Sequence, residues 1–581
     1  MQRAEIFTQV DSGQCCTCLY TRNLQVRIRI TRSRAIVRRP EGSIASAETN
    51  EDITAPARSR ALGASSLVTL GILASRLAGF LRDRIFAHYF GISTVADVFR
   101  AALRIPNLLS NLFGEGVLSA SFVTVYAKLR ALKEDEEAEH LAEAIFGVLT
   151  LLCLGMVVAG VLLTPILIEF IAPGFRDAHE RELTIRVVRI LFPGSGFLVM
   201  SAWCLGILNS HRKFLLSYLA PVAWSATMIV ALQIFGGRGT LDQLAIQLAW
   251  AAVIGAALQF LVQVPKVLNI LPLFRPTLDI SSESVRSVMR NFGPIFLSRG
   301  VVQVSAYVDQ IIASYLPHGA IAALSYAQTI AVLPVSLFSM SVSAAELPTL
   351  SSAVGDTEQI ASFLRKRLIA GLQRIAYFVI PSAVAFLVLG DVLAAGIYQT
   401  GQFVHGNAVY VWGVLAGSAV GLLATSLGRL YSSAFYALLD TKTPLRFAIV
   451  RIVLTTLLGA VFALVLPGWL GIDGRWGVAG LTASAGIAGW VEFLLLRHGL
   501  GKRIGGTPLP PGFAAKLWLT AGVGAAVAYS IKHSLGALGA NHPLPLAVVV
   551  CGVYGGIYFA GTWLVGVNEA RGLVRSVLRR L

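Results

Sequence analysis

The sequence predicts an all-α protein that crosses a membrane many times. Of its 581 residues, 55% are hydrophobic and only 14% are charged, whereas about 25% of a typical soluble domain is charged. Apolar windows of the roughly 20 residues that span a bilayer as a helix recur along the chain, for example at 142–168, 244–264 and 546–567. Lipid cannot satisfy the backbone groups of an open sheet, so a helical bundle is the fold class that fits.

The formal net charge of +17 does not indicate a nucleic-acid partner, because most Lys and Arg residues lie in short loops between apolar windows. Of the six cysteines, Cys153, Cys204 and Cys551 lie in such windows, where cysteine behaves as a small hydrophobe. The other three, in QCCTCLY (14–20), lack the second His or Cys pair that a zinc site needs. The sequence therefore predicts neither a metal nor nucleic acid.

Residue 64 begins the part of the chain that we predict to be membrane-embedded. Residues 1–63 are polar and basic and lack the apolar region of a signal peptide, so we interpret them as a disordered cytoplasmic tail or a mis-assigned start, with a basic membrane-surface segment as the alternative. About fourteen spans follow, several interrupted by Gly, Pro or Arg as expected beside a wet cavity. Their approximate bounds are 64–89, 95–126, 142–170, 184–208, 214–235, 241–265, 288–316, 320–351, 367–397, 408–438, 445–466, 475–497, 514–533 and 545–568.

The loops between these spans alternate in charge. Loops after even-numbered spans, such as the one around 128–133, are rich in Lys and Arg, and so are both tails. The loops near 91, 317 and 401 contain no Lys or Arg. By the positive-inside rule, this alternation predicts an even number of spans and places both termini in the cytoplasm.

The loops are too short to fold as domains, and no G-x-x-x-x-G-K-[ST] motif occurs. These facts weigh against a membrane glycosyltransferase and an ATP-driven pump, and favour a carrier or channel. A weak repeat (116–131 with 341–356, 206–221 with 434–449), offset by about 225–230 residues, favours two parallel halves of six spans. The predicted units are the tail 1–63, lobes 64–270 and 271–500, and 501–581 with the last two helices and a basic cytoplasmic tail.

Charged residues inside the first two spans form the candidate binding site, because ionisable groups in membrane helices are rarely without function. They are Arg76, Arg82, Asp83, Arg84, Asp97, Arg100, Arg104 and Glu115. Three of them, at 97, 100 and 104, share one helix face. Arginine outnumbers the acids, and its planar fork suits phosphate or carboxylate, so we predict an anionic ligand. Alternatively, some members only pair with one another or extend to a helix end.

Several stretches of the chain resemble the MurJ/MviN family of flippases for lipid-linked peptidoglycan precursors, in the superfamily that includes MATE exporters. They are SRLAGFLRDRIFAHYFG (75–91), ADVFRAALRIPNLLSNLFGEGVLSASFVTVYA (96–127), APGF (172–175), GILNSHRKF (206–214), YQTGQF (398–403) and AFYALLDTKTP (434–444). The resemblance extends from about residue 64 to the C-terminus. It implies two six-helix lobes plus two C-terminal helices, fourteen in all, around a central cationic cavity, and lipid II as the ligand.

Matched motif by motif, the resemblance implies a set of cavity residues on the first two helices. They are Arg76, Arg82, Asp83, Asp97, Asn107 and Glu115. The chain departs from the family at Ser110, where many members have Arg, and at Gln328 and Thr329, where many have an Asp-Arg pair. The candidates to replace the missing anion contacts are Arg100, Arg104 and Arg299.

The resemblance implies a transporter and not an enzyme, with no catalytic residues and no cofactor. Its cargo would be lipid II, moved by alternating access across the bacterial cytoplasmic membrane for cell-wall synthesis, with the membrane potential or an ion gradient as the driving force. Membrane lipids and the cell-wall synthesis machinery are the expected partners. The alternatives are a flippase or exporter of another polyprenyl-linked or anionic cargo, or a non-transporting membrane scaffold.

Overall fold

The computed structural model describes residues 55–113, 117–352, 356–536 and 542–572. The chain divides into two units, 1–59 and 60–581, and the helical bundle is formed by the second. Within the described ranges the chain forms helices and turns but no strand, which confirms the predicted all-α fold class. Glu115 and residues 1–54 of the predicted tail lie outside the described residues. Residues 55–63, which the prediction assigned to the disordered tail, form the first part of a helix that continues into the first span.

The described ranges contain a succession of α-helices and a few short irregular segments. The α-helices are α1 (Ala55–Phe90), α2 (Thr94–Asn111), α3 (Thr124–Leu132), α4 (Asp135–Ile171), α5 (Ala178–Ser210), α6 (Phe214–Phe235), α7 (Leu241–Leu261), α8 (Val264–Leu268), α9 (Glu283–Ser314), α10 (Ala320–Pro334), α11 (Ser341–Ser351), α12 (Thr357–Val388), α13 (Gly390–Tyr398), α14 (His405–Ala437), α15 (Lys442–Ala460), α16 (Leu466–Leu470), α17 (Gly477–Ile504), α18 (Pro511–Ser534) and α19 (Pro543–Leu564). The π-helical segments are Ser119–Val123, Val335–Met340 and Val461–Val465, and Gly474–Trp476 is a 3₁₀ turn.

Among the described residues, each predicted span overlaps one helix or an interrupted helix, with ends that differ by up to ten residues. The second and eighth spans are both broken by a π-helical segment, a feature often found at functional sites. Among the described residues, 11 helices are long and apolar enough to cross a membrane. The three predicted spans outside that set are the first, second and seventh, which contain the charged candidate residues.

Helix packing forms two groups with a third pair beside them. In the first group α5 packs against α2, α4 and α7, and in the second α14 packs against α12 and α17. The last two helices, α18 and α19, pack together and against α12 and α13. Contacts between α2 and α10 join the two groups. The residue boundaries predicted for the two lobes remain predictions.

An aromatic cluster fills the junction of α1, α2, α10 and α13. Phe86 stacks on Phe90 at 4.5 Å between ring centroids, and Tyr326 lies 4.9 Å from Tyr398. These rings are almost fully buried, and aromatic pairs at such distances contribute about 0.5–1.5 kcal/mol each. The cluster therefore holds the first two helices firmly against the second group at this end of the bundle.

The turn between α1 and α2 lies against the turn between α13 and α14. Gly91 ends α1 with a φ of +56°, and a Cβ at this position would lie only 2.7 Å from the Gln402 carbonyl oxygen. The Gln402 amide donates a hydrogen bond of 2.8 Å to the His88 carbonyl oxygen. Glycine permits this close approach, which sets the direction in which α2 starts.

The outward face of α4 is apolar. Leu162 and Phe170 are 69% and 70% exposed, while Leu141 and Ile145 on the same helix are buried. A helix with large exposed apolar side chains is unsuited to water, so this face is expected to contact lipid. Together with the spans, it identifies the protein as a multi-pass membrane protein.

The contact between α14 and α17 requires glycine, so we expect Gly421→Ala to destabilise the protein. A Cβ on Gly421 would lie 2.3 Å from the Gly486 Cα, where no flexible side chain can move away. Overpacking of this kind costs about 1–3 kcal/mol, more than the helix propensity that alanine gains. Thermal unfolding in detergent would measure the loss. The matched control is Gly552→Ala on α19, where nothing lies within 4 Å; equal melting temperatures for the two variants would contradict the prediction.

Candidate functional site

The core of the charged cluster is one carboxylate shared by two arginines. Asp83 on α1 is buried, and its Oδ1 lies 3.1 Å from Arg82 Nη2 and 3.2 Å from Arg100 Nη1. Arg100 reaches this carboxylate from α2, so the interaction joins the first two helices. One negative charge cannot neutralise both guanidinium groups, and the trio carries an excess of one positive charge.

Aromatic faces support both arginines. The Arg82 guanidinium carbon lies 4.8 Å from the centre of the Trp224 ring, and that of Arg100 lies 4.4 Å from Phe86 and 5.2 Å from Tyr326. Cation–π contacts of this kind contribute about 0.5–2 kcal/mol, the larger values when desolvated. Arg100 Nε and Nη2 are buried without a hydrogen-bond partner among the described residues. The trio therefore retains hydrogen-bond donors that no described residue uses.

The other two arginines of α1 have separate contacts. Arg76 Nη1 donates to the Ser336 hydroxyl at 3.1 Å, which joins α1 to the π-helical segment of the eighth span. Arg84 Nη1 donates to the carbonyl oxygens of Gly396 and Ile397 near the end of α13, at 3.0 and 2.8 Å. Arg84 thus satisfies terminal carbonyl groups of a helix, and its role is structural in this conformation.

Asp97 caps a distant helix. Its Oδ2 accepts a hydrogen bond of 2.6 Å from the Gly319 amide, and its Oδ1 accepts one of 2.7 Å from the Ala322 amide. These are unpaired donors of the first turn of α10, to which a carboxylate is well suited. The predicted role of Asp97 in ligand binding stays a prediction; in this structure its carboxylate closes the junction between α2 and α10.

Arg104 also connects α2 to α10. Its Nη2 donates to Gln328 Oε1 at 2.7 Å, and its carbonyl oxygen accepts a hydrogen bond of 2.9 Å from the Tyr307 hydroxyl. Gln328 occupies one of the positions where the chain departs from the family pattern. At the other two departures, Ser110 and Thr329 donate to carbonyl oxygens of their own helices, those of Asn107 and Ser325.

Of the remaining predicted site residues, only Asn107 has a described side chain. Asn107 lies one position after Pro106 in the last part of α2 and is half-buried. Arg299 lies on α9, but its side chain is outside the described part of the structure, and Glu115 is outside it entirely. Their assignment to the cavity stays a prediction.

Sequence reasoning missed the aromatic partners of the arginines. Trp224 lies in the apolar helix α6 and Tyr326 in α10, and neither differs in its local sequence from an ordinary buried aromatic residue. The charged face of α2 was predicted from spacing, whereas the opposing residues depend on which helices pack together. No motif would have identified them.

We expect Asp97→Ala to loosen the start of α10. Without the carboxylate, the Gly319 and Ala322 amides lose their acceptor, and loss of a helix cap costs about 0.5–2 kcal/mol. Hydrogen–deuterium exchange of the first turn of α10 should become faster. Asp97→Asn should have a smaller effect, because asparagine is also a good cap.

The control for this prediction is Asp356→Ala. Asp356 caps its own helix α12, with its Oδ1 2.8 Å from the Gln359 amide, and makes no such link to a distant helix. Its loss should leave exchange at the start of α10 unchanged. Unaltered exchange in the Asp97→Ala variant would show that the carboxylate does not maintain this junction.

The fold and the site together define a class of protein. A multi-pass helical bundle with an arginine-rich trio between its first two helices favours a membrane carrier. Among solved structures, the chain matches "Lipid II flippase MurJ, inward closed conformation" with a TM-score of 0.69 at 23% identity, over 85% of this chain and 99% of that one. It also matches an inward-facing MATE family transporter of the MOP superfamily, with a TM-score of 0.58 at 18% identity, over 74% of this chain and 95% of that one.

Sequence comparison identifies the family. The family model described as Lipid II flippase MurJ matches residues 86–548. A "Probable lipid II flippase MurJ" of Bdellovibrio bacteriovorus is 31% identical over 76% of this chain and 82% of its own length. One from Rhizobium tropici is 29% identical over 88% of this chain and 96% of its own length. The chain belongs to the MurJ family.

Proposed function

We propose that this protein is a flippase that moves lipid II from the inner to the outer leaflet of the cytoplasmic membrane by alternating access. Membership of the MurJ family supports this function. The structural observation that carries the proposal is the trio of Arg82, Asp83 and Arg100, with its excess positive charge and its unpartnered donors. The protein is then a transporter, and the peptidoglycan precursor is its cargo.

The trio suits a pyrophosphate group. Arg82 and Arg100 approach the same Asp83 oxygen from two helices, so a diphosphate that displaces the carboxylate would meet two guanidinium groups at once. Hydrogen bonds between ionised groups are about twice as strong as neutral ones, and guanidinium binds phosphate through two parallel bonds. Without cargo, the Asp83 carboxylate offsets the repulsion between the Arg82 and Arg100 guanidinium groups. Arg76, more exposed and nearer the middle of α1, is placed to meet the headgroup first.

The loop charges support an orientation with both termini in the cytoplasm. In that orientation the turns at 91, 319 and 401 lie on the extracytoplasmic side, where the Asp97 cap and the aromatic cluster join the two helix groups. The described conformation is then closed toward the outside. Release of cargo requires this junction to open and a junction at the cytoplasmic end to form.

Cysteine labelling tests the orientation. In a cysteine-free background, Asp279→Cys should react with a membrane-impermeant maleimide only after permeabilisation, whereas Asp473→Cys should react in intact cells. The two aspartates are matched, with side chains 45% and 57% exposed in loops at opposite ends of the bundle. The reverse labelling pattern would exclude the proposed orientation.

Transport needs no ATP in this proposal. Moving a negative charge outward across a membrane that is negative inside is favourable by about 2.3 kcal/mol per charge per 100 mV. The membrane potential, or a coupled ion gradient, is therefore a sufficient driving force. Collapse of the potential by an ionophore should slow translocation in cells; unchanged translocation would point to another source of energy.

The direct test of function is lipid II exposure at the outer leaflet after depletion of the protein. Exposure should fall and recover when the protein is re-expressed. Purified protein in liposomes should translocate lipid II in preference to a polyprenyl-linked surface polysaccharide precursor. Equal or opposite preference would favour another anionic cargo, and no translocation of either would favour a scaffold that assists the cell-wall synthesis machinery. A cationic drug is disfavoured as cargo, because the trio is itself cationic.

A further inference from the structure

A second polar cavity lies away from the arginine trio, where α13, α18 and α19 meet the start of α14. Its volume is about 490 Å³, within the range of small-molecule sites. Its polar lining consists of Asp391, Gln399, His405, Tyr529, Lys532 and His533. None of the residues predicted to bind the cargo lines it.

The cavity contains an ion pair that joins α13 to α18. Lys532 Nζ lies 2.6 Å from Asp391 Oδ2, and the Asp391 side chain is only 10% exposed. The other carboxylate oxygen, Oδ1, is buried and has no hydrogen-bond partner among the described residues. An unsatisfied buried acceptor costs about 1–3 kcal/mol, more when charged, so this atom is suited to an incoming donor.

The Asp391–Lys532 pair offers a ligand both a hydrogen-bond acceptor and hydrogen-bond donors. An ammonium group has three donors, and the described residues use one Lys532 donor, on Asp391. Within the same part of the chain, Asp391 Oδ1 has no donor. The pair is therefore electrically neutral, yet it presents an acceptor for a cation and donors for an anion side by side, with His405 and His533 on the same wall.

We propose that this cavity binds the headgroup of a zwitterionic aminophospholipid of the phosphatidylethanolamine type. The primary ammonium group donates to Asp391 Oδ1, and the phosphate accepts from Lys532. A neutral site favours a headgroup of zero net charge over an anionic one, because an extra charge would be buried without compensation. Phosphatidylcholine has the same net charge but no N–H on its nitrogen, and therefore cannot satisfy Asp391.

The surroundings of the cavity suit a lipid. Val392, Ala395 and Leu546 contribute apolar lining. Tyr529 both lines the cavity and is 52% exposed, so the cavity opens at the surface of α18. On the adjacent helix α19, Val548 is 65% exposed and offers an apolar surface for acyl chains. The proposal is independent of lipid II translocation.

Native mass spectrometry of the full-length protein in detergent tests the proposal. Phosphatidylethanolamine, its N,N-dimethyl derivative, phosphatidylcholine and phosphatidylglycerol with identical acyl chains would be added at equal concentration. We expect phosphatidylethanolamine to bind about tenfold more tightly than phosphatidylcholine or phosphatidylglycerol, the effect of one hydrogen bond to a charged group. Equal binding of phosphatidylethanolamine and phosphatidylcholine would overturn the proposal without any variant. A preference for phosphatidylglycerol would overturn it as well.

Variants locate the site. Asp391→Asn should remove the tenfold preference for phosphatidylethanolamine over phosphatidylcholine, whereas Lys532→Gln should weaken the binding of both lipids alike, because it removes the phosphate donor that both use. Lys516→Gln should change neither, because Lys516 lies at the other end of α18 and contacts the Val565 carbonyl group. A preference retained in Asp391→Asn would place the lipid elsewhere. Soluble glycerophosphoethanolamine should compete only weakly; competition as strong as that of the lipid would refute a membrane lipid as the occupant.

Discussion

Arg82→Ala is expected to abolish the ability of the protein to restore growth of a strain depleted of its lipid II flippase, although the variant protein remains folded in the membrane. The Arg82 side chain retains 17% of its accessible surface and lies beside the carboxylate that a diphosphate would displace. Two charge-assisted hydrogen bonds to phosphate contribute about 1.5–3 kcal/mol each, so cargo binding should weaken at least about a hundredfold. Asp83 keeps Arg100 as its partner, which limits the effect on stability.

The activity of Arg82→Ala can be measured by complementation and by lipid II translocation in liposomes. Two further variants serve as controls. Arg82→Lys keeps the charge but loses the planar fork, so it should show partial activity. Arg186→Ala removes a 60% exposed arginine from a surface pair with Glu182 and should be fully active. Full activity of Arg82→Ala would remove Arg82 from the cargo site.

Asp83→Ala is expected to cause the largest loss of stability. It leaves two buried guanidinium groups close together without a counter-ion, and removal of one partner from a buried ion pair typically costs about 3–5 kcal/mol. The melting temperature of the purified protein should fall far below that of Arg82→Ala. The same substitution also removes the only acid among the described residues that accepts from both arginines.

A double variant separates charge from packing in this prediction. If uncompensated charge causes the loss, Asp83→Leu combined with Arg100→Met should recover much of the stability, because apolar groups of similar volume often replace buried ion pairs without loss. A double variant as unstable as Asp83→Ala would show that shape matters more than charge at this position. Asp83→Ala with an unchanged melting temperature would contradict the shared-carboxylate interpretation.

Eleven of the spans were predictable from local composition, because a run of about 20 apolar residues favours a membrane helix. The helix α6 (Phe214–Phe235) begins and ends at the residues that the sequence predicts. The sequence also shows Pro and Gly residues within the second span, at 106, 114 and 116, whereas it did not lead us to predict the break in the eighth span. The π-helical geometry of the interrupted spans could not be predicted, because it depends on how neighbouring helices satisfy the freed backbone N–H and C=O groups.

Pairing across the site was not predictable, because it depends on which helices meet. Helical spacing placed Asp97, Arg100 and Arg104 on one face. It gave no information that Asp97 would accept hydrogen bonds from backbone amides more than 200 residues away, or that Arg104 would meet Gln328. Both Arg104 and Gln328 were noticed separately, as a candidate replacement and as a departure from the family, and only the structure brings them together.

The glycine contact between α14 and α17 has a consequence for motion. Where Gly421 meets Gly486, backbone touches backbone, with no layer of side chains that could change rotamer as one helix slides past the other. We therefore expect little shear between these two helices, and we expect them to move as one rigid body. Spin labels at the ends of α14 and α17 should keep a constant separation while the protein alternates between its two states, so the flexible joints of the transport cycle must lie elsewhere in the bundle.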